Sequence, residues 1–192
     1  MRYSQEHNEA TRDRILAVAS RLFREEGIAA VGLAKIMTDA GLTVGTFYTH
    51  FKSKEALVRE ALRRSLVARS EQLAQTLRTG DLEKAVRVYL SPEHRDQPGV
   101  GCPTAALAPE VSRHPRPTRQ AYASALEPSL DSWAEAMSIR AGKKVGRAEA
   151  AAFVGLLAGT MQIARAVPDP AESLAILEAG ARTALRVARK EG

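Results

Sequence analysis

Residues Thr43 to Lys54, TVGTFYTHFKSK, set two phenylalanines four residues apart among hydroxyls, an imidazole and ammonium groups. At that spacing Phe47 and Phe51 share one face of a helix and can anchor it in a small core. Thr43, Val44, Gly45, Thr46, Tyr48 and His50 are then left facing outwards or at the edge. The hydroxyls, the ring N–H, the ammonium and the amides of a helix N-terminus are donors that suit phosphate oxygens. The Val44 side chain suits apolar contact, and Gly45 lets another backbone come close. A helix of about seven residues is too short to be stable alone, so neighbours must hold it.

A second candidate for chemistry is Cys102, the only cysteine of the chain. Pro103 suits a first helical position, which makes Cys102 the cap, where a helix N-terminus favours the thiolate. A reactive thiol there would sense an electrophile or an oxidant; a packed one would only fill space. His94 and His114 lie on either side of it at a spacing that matches no metal pattern, so no metal site is expected. The chain carries no Gly-rich phosphate loop and no nucleophile with a recognisable base. An enzyme is therefore not expected, and neither is a cofactor.

The elements that must position these groups read as helices almost throughout, with no competing strand pattern. Ile15, Val18, Ala19, Leu22 and Phe23 recur at helical steps up to a stop at Gly27. Leu33, Ile36 and Met37 make a second, two-turn helix that leads to a turn at Gly41. Thr43 is placed to cap the short third helix from Val44 to about His50, and Ser53 the fourth. The fourth meets no Gly or Pro before Gly80 and spans roughly 38 Å, enough to bridge two domains. Asp81 caps a fifth helix towards Leu90, and Ser91 to Gly101, with two prolines and two glycines, reads as a loop. A short helix follows from Pro103, a longer one from about Thr118 to Ile139 bent at Pro128, and two more from Arg147 to Ala166 and Pro170 to Arg189.

Composition narrows the partners. The net charge is +6 and the isoelectric point about 9.8, which favours a polyanion. Basic and acidic residues are interspersed, so an anionic-membrane helix is disfavoured. The longest apolar stretch, Ala150 to Gly159, is too short to span a bilayer, and the N-terminus has no signal-peptide pattern; a cytoplasmic location is expected.

The segment from Val31 to Lys54 resembles the DNA-binding domain of the tetracycline-repressor (TetR) family. The resemblance rests on Ala-Gly-Leu-Thr at 40–43, Gly-Thr-Phe-Tyr at 45–48, His50-Phe51, and Lys-Ser-Lys-Glu-Ala-Leu at 52–57. It implies an all-α fold with an N-terminal helix-turn-helix domain (residues 1–52) and a helical effector-binding and dimerisation domain (53–192). It implies that Thr43, Thr46, Tyr48, His50 and Lys54 approach double-stranded operator DNA, with Thr46 and Val44 the better candidates for reading bases. Two positions depart from the family pattern. Gly32 stands where a capping Ser or Thr is usual, leaving only its backbone N–H for phosphate, and Val44 stands where many relatives carry a polar or basic residue.

Beyond the fourth helix the resemblance is one of architecture. Ala151, Gly155 and Gly159 form a small-residue stripe, and Leu174, Leu177, Ala181 and Leu185 an apolar face; together they suit a homodimer interface. A pocket between the fourth helix and the sixth to eighth, those that start near Pro103, Thr118 and Arg147, would be lined by Leu66, Leu73, Leu107, Val111, Tyr122, Leu126, Trp133, Met137, Phe153, Leu157 and Met161, with Tyr122, Trp133 and Gln162 as polar handles. That inventory predicts a small apolar or aromatic effector that releases a repressor from its operator. A ligand-independent DNA-binding protein and a regulator sensing through Cys102 are the alternatives.

Overall fold

The computed structural model describes residues 2–79 and 81–189. Its elements are α1 (Arg2–Glu26), α2 (Leu33–Asp39), α3 (Val44–His50), α4 (Lys54–Thr79), α5 (Leu82–Tyr89), α6 (Pro92–Asp96), a 3-10 turn (Pro98–Val100), α7 (Pro103–Val111), α8 (Arg116–Ala141), α9 (Arg147–Ala166) and α10 (Pro170–Val187). Gly80, expected to close α4, lies outside the described residues.

Several helix starts follow directly from capping chemistry. The Ser53, Asp81 and Asp169 side chains accept from the backbone N–H of Ala56, Lys84 and Glu172 at 3.1, 3.0 and 2.7 Å, satisfying donors that have no partner inside the helix. Thr43 departs from the expectation. Its backbone is extended, as a cap requires, but its hydroxyl pairs with that of Thr46 at 3.1 Å and makes no cap bond. The segment 91–101 is not the loop that its prolines and glycines suggest. Ser91 accepts from the N–H of His94 at 3.2 Å and Pro92 takes the first turn of α6, so this proline starts a helix instead of breaking one. α8 begins at Arg116, passes through Pro128 and ends where Gly142 takes the left-handed conformation at φ 65°.

The buried apolar residues form two cores. The first joins α1, α2 and α3 to Leu57, Val58, Ala61 and Leu62 of α4 and to Leu107 and Val111 of α7. The second joins α5, α8, α9 and α10 with Leu73 of α4 and Cys102. α4 is thus a wall shared by both, and its first two turns pack with the N-terminal helices rather than with the larger core to which a division after residue 52 assigns them. Ser20 and Arg24 of α1 reach across, to the carbonyl of Ala61 at 3.3 Å and the hydroxyl of Ser65 at 2.5 Å.

α9 and α10 approach closely because Gly180 has no side chain. A Cβ there would lie 2.3 Å from Cγ2 and 3.1 Å from Cβ of Thr160, a short, β-branched residue that cannot swing aside. Gly180→Ala is expected to destabilise the protein by about 1–3 kcal/mol despite alanine's better helix propensity. Urea denaturation checks this: an unchanged or higher midpoint would show that the two helices separate freely.

Candidate nucleic-acid interface and ligand cavity

α2, the turn at Gly41 and α3 build one exposed edge of the N-terminal unit. The turn is fixed by Gly41 in the left-handed region at φ 66°, with Leu42 N–H donating to the Met37 carbonyl at 2.8 Å. α3 is then held from beneath. Phe47 is fully buried and Phe51 nearly so, their rings stacked with centroids 5.6 Å apart. The Arg12 guanidinium covers the outer face of Phe51 at 4.9 Å and is itself paired with Glu60.

The opposite face of α3 is open. Tyr48 is 65% and Val44 43% exposed, and Gly32, Thr43 and Gly45 are exposed beside them, with Thr46 half-buried. Tyr48 stands edge-on to Phe47, centroids 5.2 Å apart, so its ring is braced while its hydroxyl points away from the core. A Cβ on Gly45 would meet nothing nearer than the Thr43 hydroxyl at 3.9 Å; no packing inside the chain requires glycine there. Two predicted residues are less free. Lys54 donates to the Ile28 carbonyl at 2.8 Å, tying α4 to the end of α1. His50 is half-buried, and burial, helped by the positive Arg12, lowers its pKa; it is neutral near pH 7 and offers a hydrogen bond, not a charge.

The second core is bordered by a partly open cavity with room for water-sized groups in about 30 Å³ of it, about 520 Å³ in all when the part open to solvent is included. Leu66, Leu73, Leu126 and Trp133 of the expected lining do face it. Leu107 and Val111 do not: they turn the other way and complete the N-terminal core, against which Tyr122 also packs. Met137, Phe153, Leu157 and Met161 are close-packed core behind the wall. Gln162 is exposed and donates to the Ala105 carbonyl at 2.8 Å. In their place the cavity takes Arg69, Thr76, Val88, Tyr89, Cys102, Thr104 and Ser129 among its lining. Tyr89, Val88 and Ala85 sit on α5, a two-turn helix whose apolar side reads from sequence as plain core.

Cys102 caps α7, as its place before Pro103 requires, yet its side chain makes no cap bond and is buried. Its backbone N–H donates to His94 Nε2 at 2.8 Å, and His94 Nδ1 lies 2.5 Å from the Tyr89 carbonyl. The proton is therefore on Nδ1, and the imidazole bridges α5 to α7 in its neutral form. Burial, reinforced by Arg69 and Arg165 and opposed by the Tyr89 carbonyl, lowers its pKa from 6.5 to about 4. The unfolded chain takes up this proton near pH 6.5 and the folded protein only near pH 4, so stability falls as the pH drops through that window. Between pH 7.5 and 5.0 His94 should remove about 2 kcal/mol. Urea midpoints at the two pH values check it: His94→Gln should show a smaller acid loss than the unmodified chain, and an equal loss would place the effect elsewhere.

The expected dimer residues divide. Ala151 and Gly155 are exposed on α9, Gly159 is half-exposed and Leu174 of α10 is 41% exposed. Leu177, Ala181 and Leu185 are buried inside the subunit, because the apolar side of α10 faces α9 and α5. Among the described residues no helix is long and apolar enough to cross a membrane, and no three His, Cys, Asp or Glu are grouped for a metal.

A sequence model described as bacterial regulatory proteins, tetR family, matches residues 15–61, that is α1 through the first turns of α4. The chain is 36% identical over 91 residues to the HTH-type transcriptional repressor KstR2 of Mycolicibacterium smegmatis, covering 44% of each protein. It is 32% identical over 71 residues to the transcriptional repressor NemR of Escherichia coli, covering 37% of this chain and 36% of the repressor. The aligned regions span less than half the length of these curated relatives. Similarity of fold extends over nearly the whole chain. The reduced form of E. coli NemR superposes with a TM-score of 0.75 at 23% identity, covering 91% of this chain and 95% of that one. A TetR-family regulator from Agrobacterium tumefaciens gives 0.76 at 22% identity, covering 94% and 98%.

Proposed function

The chain belongs to the TetR family of bacterial regulatory proteins, and from that premise we propose that it is a homodimeric repressor whose α3 reads an operator. The observation that carries the reading is the asymmetry of α3, with a closed aromatic underside and an open face of Thr43, Val44, Gly45 and Tyr48, edged by half-buried Thr46, that no described residue covers. Tyr48, Thr43 and the backbone near Gly32 and Gly45 contact phosphates; Val44 and Thr46 enter the major groove. Lys54, engaged by the Ile28 carbonyl, supports α3 from behind, and half-buried His50 contributes at the edge. The division of labour falls inside α4, whose first turns complete the reading unit while the rest of residues 53–192 form the control domain.

Dimerisation through the exposed α9 stripe and Leu174 sets the two copies of α3 at a half-site spacing of about 34–36 Å. Control runs through the joint between the cores. Arg24 Nε donates to the Gly99 carbonyl at 2.8 Å, and the Ala29 N–H to Glu110 Oε2 at 2.9 Å. Gly99 lies three residues before Cys102, a wall of the cavity. An effector entering beside Cys102 displaces that segment, and α1 and the reading unit move with it. A thiol-sensing version has one favourable observation, that Cys102 lines the cavity; an alkylation rate no faster than that of a model peptide would exclude it.

Fluorescence anisotropy on DNA from upstream of the protein's own gene, against a scrambled duplex at two salt concentrations, tests the reading. Preference for the upstream DNA that weakens as salt rises is expected. Equal, weak binding to both would reduce the protein to a non-specific binder at that locus.

A further inference from the structure

The polarity of the cavity beside α5 is not that of a purely apolar effector site. Tyr89 is 2% exposed, and its hydroxyl finds no nitrogen or oxygen partner among the described residues; the group beside it is the Cys102 thiol, a weak acceptor. A buried hydroxyl left with only a thiol to donate to is under-satisfied, so its presence at a cavity wall calls for an occupant that accepts from it more strongly. Burial raises the Tyr89 pKa well above 10, which keeps the group protonated and a donor. Thr104 points the same way: its oxygen accepts from Tyr122 at 3.0 Å, leaving its own proton for the cavity. Arg69 supplies charge. Its guanidinium lies 5.3 Å above the Tyr89 ring, and the lining holds no Asp or Glu to neutralise it. Donors and one cation with no anion are the complement of an acid.

We propose that the effector is a small organic acid, its carboxylate held by Tyr89 Oη and Thr104 Oγ1 and balanced by Arg69, its apolar body lying against Trp133 and Leu126. The proposal rests on the reading of this cavity as the effector site and replaces an effector defined only as apolar or aromatic. The space of about 30 Å³ has room for about two waters, enough for a carboxylate head; the body extends into the open part between α4 and α5, towards Thr76 and Val88.

Trp133 is the only tryptophan of the chain and lines the cavity, so its fluorescence reports occupancy directly. The probes are 3-phenylpropanoate and hexanoate against 3-phenylpropanol and hexanol, pairs that share a body and differ in the head, titrated into the full chain at pH 7.5. The acids should bind at least tenfold more tightly than the alcohols. Tyr89→Phe and Arg69→Gln should each remove most of that preference, and the fall of acid affinity with salt should persist in Tyr89→Phe, which keeps the cation, and be lost in Arg69→Gln. Melting temperatures of both variants separate a lost contact from a lost fold. Equal affinity for acid and alcohol, no response to either acid, or a Tyr89→Phe protein that still prefers acids would overturn the proposal, the last two marking Tyr89 as satisfied by water alone. The DNA complex is read separately. Tyr89-dependent acid binding that leaves DNA affinity unchanged would sustain the acid site and remove the induction mechanism.

Discussion

Replacing Phe47 by alanine is expected to destabilise the N-terminal unit by about 3–5 kcal/mol, the range for deleting a fully buried phenylalanine. The loss falls on a helix with little else to hold it. α3 is seven residues long, has no side-chain cap bond, and touches the core through Phe47 and its stacked neighbour Phe51. Unfolding of this unit should separate from that of the larger core, because the second core meets the first only along α4, α7 and Tyr122 of α8. Two transitions by urea titration, the earlier one carrying the loss of DNA binding and the later one unchanged in midpoint, are the expected result. One cooperative transition at a lower midpoint would mean that the two cores fold as a single unit.

Tyr48→Ala, one residue away, should do the opposite. Tyr48 is mostly exposed and gives up only an edge-on contact with Phe47, so the melting temperature should move by no more than a degree or two. Operator affinity should fall by about ten- to a hundredfold, equivalent to about 1.4–2.7 kcal/mol, through loss of a phosphate contact and of the braced ring beside it. The salt dependence should change little, since a neutral hydroxyl releases no counterion. Anisotropy titrations over several salt concentrations check all three. Unchanged affinity would show that DNA approaches another face, and a large fall in melting temperature would reassign Tyr48 to packing.

The contrast between these neighbours is legible from spacing alone. Phe47 and Phe51 at four residues, with polar groups between, can only fold with the aromatics inward, and Gly41 is readable as a turn because a left-handed φ favours glycine. Lys54 and His50 are not legible in the same way. Their types suit phosphate, but the Ile28 carbonyl that accepts from Lys54 and the Arg12 guanidinium that disfavours a charge on His50 come from α1 and its C-terminal turn, about 26 and 38 residues away in sequence. The cavity is the least legible part. Leu107 and Val111 have the same apolar character as Leu66 and Leu73, and a periodic pattern says which residues are buried without saying in which core. Tyr89 escapes a reading of the sequence for the complementary reason: on a short amphipathic helix it looks like core, and only the geometry shows a hydroxyl left with nothing but a thiol beside it. The dimer reading fails at Leu177, Ala181 and Leu185 on the same ground, since a helix face packed within a subunit and one packed between subunits have identical spacing.

Selection from a random duplex library with the purified protein, followed by footprinting of the enriched sites, addresses the central claim with no operator sequence assumed. The expected product is a two-fold symmetric motif whose half-sites lie about one helical turn or a whole multiple of it apart, protected on one face and lost with Tyr48→Ala. Enrichment of no motif, or of one still bound by the Tyr48→Ala protein, would contradict the claim that α3 reads DNA.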